Sequence, residues 1–304
     1  MKYVITGGAG HISKPLAEKL ISEGHHVTII SRNEKNIAGL VSKGAKAAIG
    51  SVEDIDFLSK TFAGADAVYT MVPPNFSITG SWKKWIGQIG KNYAQAIKES
   101  GVKYVVNLSS IGAHLPDGCG PVSGLHQAEK ALDELSDVNI RHLRPAYFYT
   151  NLFANISMIK SIGIMGGNYG NALSKMVIVH PNDIAAVAAE ELSGLTFTGH
   201  SFRYISSDEK TGAEIATAIG EAIGKPGLNW VVFNDNDALN GMLQAGLPEE
   251  IAKNYQEMGQ AMYNGKFFED YWKHRPSILG KIKIEDFAKT FAAVFNNEAM
   301  VAVH

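Results

Sequence analysis

A doubly wound α/β fold is predicted here: a parallel sheet with helices on both faces, followed by a smaller α/β lobe. Three observations predict it. Short, continuously apolar runs alternate with longer helical patterns through the first half of the chain, as strands buried on both faces require. A glycine separates most helical patterns from the next strand. The first strand pattern opens directly into the glycine-rich turn Gly7-Gly8-Ala9-Gly10, and a helical stretch follows.

Strand patterns occupy residues 2–6, 26–31, 45–49, 67–71, 104–108 and 140–143. Helical patterns between them occupy residues 11–22, 55–62, 82–100 and 124–135. Gly24, Gly44, Gly64 and Gly101 stand where helices hand over to strands. The pattern changes near residue 150, which places a first domain over 1–150 and a second lobe over 151–304, laid on the C-terminal ends of the strands. In the second part residues 156–171 read as a loop or short helix, and 175–179, 201–205 and 230–233 as strands. Helices are expected over 183–192, led by Asn182 or Asp183 as cap, and over 211–223, where Thr211 and Glu214 have capping-box spacing. Two amphipathic helices follow at 249–264 and 284–295. No internal repeat and no low-complexity segment interrupts the chain.

The 304 residues are 45% hydrophobic and 19% charged, with a net charge of −2, the composition of an ordinary globular protein. Basic and acidic residues are interspersed, so neither nucleic acid nor an anionic membrane is an expected partner, and no apolar run is long enough to span a bilayer. The single cysteine, Cys119, excludes an intrachain disulfide, and the ten histidines lack ligand spacing, so no metal is expected. A reducing, cytoplasmic location fits this cysteine usage and the strand pattern that begins without an apolar leader.

The turn is the most informative segment. Glycines at 7, 8 and 10 let the backbone bend sharply and approach a diphosphate without Cβ clashes, and the N–H groups around His11 and Ile12 lie where a helix N-terminus favours an anion. Ser13 stands where a third small residue packs helix on strand. After the second strand the chain offers Ser31-Arg32-Asn33 rather than an acid. A carboxylate there accepts a ribose 2′-hydroxyl, whereas a guanidinium binds a 2′-phosphate, so NADP(H) is expected over NAD(H), with Ser31 adding a hydroxyl. The alternative is an arginine solvated in a loop. Met71-Val72-Pro73, after the fourth strand, either walls the dinucleotide or is simply a rigid loop.

With these residues in view, the chain resembles the NmrA-like branch of the atypical short-chain dehydrogenase/reductases. The resemblance rests on Thr6-Gly7-Gly8-Ala9-Gly10, Ser31-Arg32-Asn33, Ser109-Ser110, His126 to Lys130, Arg144-Pro145-Ala146-Tyr147-Phe148 and Val179-His180-Pro181-Asn182-Asp183. It implies a Rossmann-type fold and a bound dinucleotide. It also implies one of two roles, an NADPH-dependent reductase of quinone-like or conjugated carbonyl compounds, or a dinucleotide sensor that passes its state to a protein partner. Two departures stand out. Where many relatives carry Gly-Asp after the third strand, this chain has Gly50-Ser51. Where ordinary members of the superfamily carry Tyr-x-x-x-Lys, it has His126-Gln127-Ala128-Glu129-Lys130.

Residues four apart share a helix face, so Lys130 keeps the place of the ribose-binding lysine. Imidazole titrates near neutrality, and His126 is therefore read as a proton donor, as a residue that orients a substrate carbonyl, or as a helix residue without chemical duty. Ser109 either contacts cofactor or substrate or bonds its own turn. Pro145 is expected to shape the backbone beside the nicotinamide. Tyr147 and Phe148 are expected to line the substrate pocket, with Met165, Trp230, Phe267 and Tyr271 as further wall residues. The missing tyrosine suits flat, electron-poor acceptors, whose reduced anions need only a weak acid.

Overall fold

The computed structural model describes residues 1–171 and 174–297. Its strands are, in chain order, β1 (Lys2–Ile5), β2 (His26–Ser31), β3 (Lys46–Ile49), β4 (Ala67–Met71), β5 (Tyr104–Leu108), β6 (Asn139–Pro145), β7 (Tyr147–Phe148), β8 (Ile164–Gly167), β9 (Met176–Val179), β10 (His200–Ile205), β11 (Asp208–Lys210) and β12 (Asn229–Val232). Seven of them make one sheet in the order β10-β6-β5-β4-β1-β2-β3. Pairings from β3 through β6 are parallel. The strand order reverses between β1 and β4, which is the switch point where open α/β sheets bind ligands.

The helices that serve this sheet are α1 (Ser13–Ser22), α2 (Ala38–Val41), α3 (Ile55–Phe62), α4 (Trp82–Ser100) and α5 (Pro121–Asp133). Val4, Ile30, Val68, Val105 and Ile140 of the strands pack with Leu58 and Phe62 of α3 and with Ile89, Tyr93 and Ile97 of α4 in one buried cluster. Side chains of this kind stabilise by roughly 1.5–3 kcal/mol each when taken from water. The helices α4 and α5 touch through glycines: a Cβ at Gly124 would meet the Ile86 side chain at 2.7 Å, and Gly87 and Gly90 face Gln127 and Ala128 equally tightly. The four expected helix-ending glycines, Gly24, Gly44, Gly64 and Gly101, all have positive φ.

The chain divides into two compact units. The first comprises Met1–Pro116, Pro121–Arg144 and Ile184–Arg203; the second comprises Asp117–Gly120, Pro145–Asp183 and Tyr204–His304. A single cut at residue 150 differs from this division in Asp117–Gly120, in residues 145–150 and, over the longest stretch, in Ile184–Arg203. That segment joins the first unit because its strand lies beside β6: the Ile140 N–H donates to the Gly199 carbonyl at 2.8 Å, and the Tyr3 hydroxyl donates to the Leu192 carbonyl at 2.8 Å.

The second unit holds a three-stranded sheet, β11-β9-β7, and a two-stranded one, β12-β8. Residues 156–171 are more ordered than their glycine content implied, with a helix at Ile156–Ile162 followed by β8, paired in parallel with β12. Tyr149 and Phe153 pack against Phe287, and Phe153 stacks on Phe291, with ring centroids 5.2–5.6 Å apart. The expected cap at 182–183 is a second correction. The helix starts at Pro181, which lacks the N–H a first turn leaves unused. The Asp183 carboxylate instead accepts from the Ser207 hydroxyl at 2.7 Å and from the N–H groups of Lys281 and Ile282 at 3.2 and 3.1 Å.

The capping box is present: Thr211 Oγ1 accepts from the Glu214 N–H at 3.2 Å, and Glu214 returns a carboxylate to the Thr211 N–H at 2.7 Å. Thr211→Ala is expected to lower stability by about 1 kcal/mol, read as a shift of the denaturant midpoint without a change in slope.

Candidate functional site

The turn after β1 bends on two glycines with positive φ. Gly7 has φ +92°, and a Cβ there would lie 2.6 Å from Ser13 Oγ and 2.7 Å from Met71 Sδ. Gly8 has φ +57°, and its N–H donates to the Ile30 carbonyl at 3.1 Å. Ser13 does what a third small residue must: it is buried, and its hydroxyl donates to the Thr6 carbonyl at 2.9 Å. Ile12, at the cap position of α1, has helical dihedrals, no side-chain cap hydrogen bond covers the first turn, and no acid lies in it. Within that turn the Lys14 N–H already donates to the Gly10 carbonyl at 3.0 Å and the Leu16 N–H to the Ile12 carbonyl at 3.1 Å, and Pro15 has no N–H, so the N–H groups this helix start leaves for an anion are those of Ile12 and Ser13. Gly10 and His11 are exposed at this mouth, and Ile12 is buried beneath it.

Four loops at the C-terminal strand ends converge on one cleft of about 480 Å³. Gly7, Gly8, Ala9 and Gly10 come from the turn after β1, Ser31 and Arg32 from the end of β2, Gly50 and Val52 from the loop after β3, and Pro73 from the loop after β4. No carboxylate is among the lining residues. Arg32 is exposed and has no ion-pair partner among the described residues. Ser31 is buried, and its hydroxyl is already committed, donating to the Asn33 carbonyl at 2.9 Å while accepting the Asn33 N–H at 3.2 Å. It shapes the Arg32 turn and is not a spare donor. Asn36 also lines the cleft, one helical turn past Arg32. Sequence reasoning missed it, although Asn33 signals the short helix that carries it, accepting from the Lys35 N–H at 2.9 Å.

Met71 and Val72 are half-buried at the tip of β4. The Met71 N–H donates to Thr6 Oγ1 at 2.8 Å, and its carbonyl accepts the Tyr93 hydroxyl at 2.7 Å, so β1 and β4 are tied together beside Gly7. Burial drives the Tyr93 phenol well above its ordinary range, which keeps it a donor. At Gly50 a Cβ would meet the Phe57 ring at 2.6 Å, so the loop after β3 is held by packing, not by an acid.

Further along the first unit, Ser109 is 4% exposed. Its N–H donates to the Leu143 carbonyl at 2.8 Å, and its hydroxyl has no hydrogen-bond partner among the described residues. A buried hydroxyl left unpaired costs free energy. His126 lies half-buried on α5, with Nδ1 2.8 Å from the Ala113 carbonyl. Only an N–H satisfies that contact, so Nδ1 carries the proton and Nε2 is the atom left for other chemistry. Lys130, one turn on, is exposed.

Pro145, Tyr147 and Phe148 belong to the second unit. Pro145 ends β6 and is buried; Phe148 is half-buried. The Tyr147 hydroxyl donates to that of Tyr169 at 3.2 Å, and burial, reinforced by Tyr169, raises its phenol so that it stays protonated. Of the other expected wall residues, Met165, Phe267 and Tyr271 are at most 2% exposed and are core residues. The Tyr271 hydroxyl is taken up by Glu209 at 2.6 Å and Ser206 at 2.8 Å. Trp230 covers Gly212 and Gly170 and donates to the Tyr169 carbonyl at 3.1 Å. Among the described residues, no cluster of metal-ligating side chains occurs and no helix is long and apolar enough to cross a membrane.

The residues present fit a pyridine dinucleotide: glycines that leave a bare cradle, an uncapped helix start and a cleft without acids. Known proteins agree in kind. The NAD(P)H azoreductase of Xenophilus azovorans is 24% identical over 297 residues, 96% of this chain and 98% of that protein. The (4-alkanoyl-5-oxo-2,5-dihydrofuran-3-yl)methyl phosphate reductase of Streptomyces griseus is 24% identical over 264 residues, 86% of this chain and 87% of that one. The fold superposes on an NADPH-dependent quinone oxidoreductase of Escherichia coli complexed with NADPH, with a TM-score of 0.79 at 20% identity over 97% of this chain and 100% of the other. It also superposes on the Citrobacter triphenylmethane reductase complexed with NADP(H), with a TM-score of 0.74 at 18% identity over 96% and 100%. Residues 7–194, the cradle and most of the central sheet, match the NAD(P)H-binding family, and the chain belongs to that family.

Proposed function

We propose that this chain is an NADPH-dependent reductase of quinone-like or conjugated carbonyl compounds. The observation that carries the cofactor choice is the cleft itself: one space is lined by the glycine turn and by Arg32, which has no ion-pair partner among the described residues, and by no carboxylate. When bound, NADPH supplies the hydride. The turn after β1 holds the pyrophosphate on N–H groups, and Arg32, with Asn36 beside it, takes the 2′-phosphate. Val72 and Pro73 wall the dinucleotide, Lys130 binds the nicotinamide ribose, and the free hydroxyl of Ser109 meets a carbonyl oxygen. The quinone, azo and triphenylmethane compounds in the names of these proteins are all conjugated electrophiles, and an acceptor of this class makes small demands on an acid.

His126 decides how small. Its Nδ1 proton is given to the Ala113 carbonyl, so a neutral ring offers only a lone pair at Nε2. It donates a proton from that nitrogen only as the imidazolium. His126→Ala is expected to cut kcat about tenfold and to leave NADPH affinity within about twofold. An unchanged kcat removes His126 from the reaction.

The same observation supports a second reading, a redox sensor that binds NADP(H) without turnover, because a ring whose proton is committed to the backbone is a poor acid. NADPH oxidation against a panel of quinones, together with calorimetric titration of NADPH and NADP, separates the two. Oxidation of any acceptor supports the reductase, and tight binding with no oxidation selects the sensor.

A further inference from the structure

Glu129 and Arg144 are only 4% and 9% exposed, yet both are charged. They form a two-pronged pair: Arg144 Nε donates to Glu129 Oε1 at 3.0 Å, and an Arg144 terminal amino group donates to Oε2 at 2.6 Å. The guanidinium also lies over the Phe202 ring, 4.3 Å from its centroid. A pair desolvated to this degree does not out-stabilise well-packed apolar side chains of similar volume, so stability alone does not account for it. What the geometry does deliver is orientation. Two parallel hydrogen bonds between planar groups fix an angle, where a lysine fixes only a distance.

The pair sits at a telling place. Glu129 lies on α5, three residues after His126 and immediately before Lys130. Arg144 is the last residue but one of β6, directly before Pro145. The helix α5 is already clasped to α4 through Gly87, Gly90 and Gly124, a contact between helices that leaves its attachment to the sheet to other groups. Ala131 and Leu132 pack α5 on the strands and Asp133 lies 3.1 Å from His142 Nε2 on β6, while Glu129 and Arg144 supply the two-pronged contact nearest His126 and Lys130.

We infer that Glu129 and Arg144 are a positioning pair, which locks α5 onto β6 in the rotation that presents His126 Nε2 and Lys130 toward the nicotinamide end of the site. The chemical part of this rests on the reductase reading above; the orientation of His126 does not.

Two measurements test it, on the full chain, with the double variant Glu129→Leu/Arg144→Met and with Arg144→Lys. The first is the 15N spectrum of the His126 imidazole without nucleotide, assigned through His126→Gln. Wild type is expected to show a single Nδ1–H tautomer, and both variants a mixture of tautomers. The second compares NADPH with 2′,5′-ADP, which lacks the nicotinamide half. The ratio of the two affinities is expected to fall roughly tenfold, with 2′,5′-ADP binding unchanged within about twofold and a melting temperature close to wild type in the double variant. A role confined to stability predicts the reverse: a lower melting temperature, with the tautomer and the affinity ratio unchanged, and that result overturns the inference. Should the double variant fail to fold, Arg144→Lys, which keeps the charge and loses the fork, is read in the same way. Should wild type bind neither nucleotide, the reductase reading falls, and the His126 spectrum alone decides the positioning role.

Discussion

Arg32→Ala is expected to weaken NADPH binding by roughly 30- to 100-fold, which is about 2–3 kcal/mol, and NADH binding by less than about threefold. The asymmetry follows from what the guanidinium has to do. It lines the cleft at the end of β2, unpaired within the described residues, and no acid lies in the lining to accept a ribose 2′-hydroxyl. Its charge therefore has one proposed target, a 2′-phosphate, which NADH lacks. Charge-assisted hydrogen bonds to a dianion are among the stronger polar contacts, and an exposed site makes them sensitive to salt, so the NADPH loss shrinks at high ionic strength. Isothermal titration of both dinucleotides against both proteins reads the result. Equal weakening of NADH and NADPH rules out phosphate recognition by Arg32 and returns it to the role of a solvated loop residue.

Gly7→Ala is expected to lower stability by about 3 kcal/mol, a drop of roughly 5 °C in melting temperature, and to abolish tight dinucleotide binding. Two costs add. A side chain at φ +92° is strained wherever it points, and this one points into Ser13 Oγ and Met71 Sδ at 2.6–2.7 Å. Gly8→Ala is the internal control. Its φ of +57° is the left-handed region, and its Cβ meets Ser31 Oγ at an ordinary 3.6 Å, so a loss of only about 1 kcal/mol is expected. Differential scanning of the two variants side by side checks the geometry of the turn. Equal melting temperatures for Gly7→Ala and wild type contradict the packing of β1, α1 and β4 around this residue.

Much of the fold is legible in the chain because it depends on local periodicity. Tyr3-Val4-Ile5 is buried on both faces, as a continuous apolar run implies, and Thr211 with Glu214 caps its helix as spaced. The elements that escape such reading are those whose partners are distant. Residues 164–167 include two consecutive glycines, Gly166 and Gly167, and become a strand only because Asn229–Val232 pairs with them. Asp183 looks like a helix cap by position, and its carboxylate is instead claimed by Ser207, Lys281 and Ile282, which lie 24 to 99 residues away. Met165, Phe267 and Tyr271 have the composition of a pocket wall and the burial of a core, and composition does not separate the two.

The candidate site divides along the same line. Gly7, Gly8, Gly10 and Arg32 are readable from the chain because a turn that must bend within four residues, and a strand end that must present a cation, impose their residue types locally. By itself the sequence determined that a parallel α/β sheet carries a glycine cradle at its first strand. Only the tertiary structure decided that four loops close on one acid-free cleft, that the Ser31 hydroxyl and the His126 Nδ1 proton are already committed, and that Glu129 meets Arg144 across helix and strand. The physical reason is that a hydrogen bond or an ion pair depends on distance and angle in space, and chain separation carries neither.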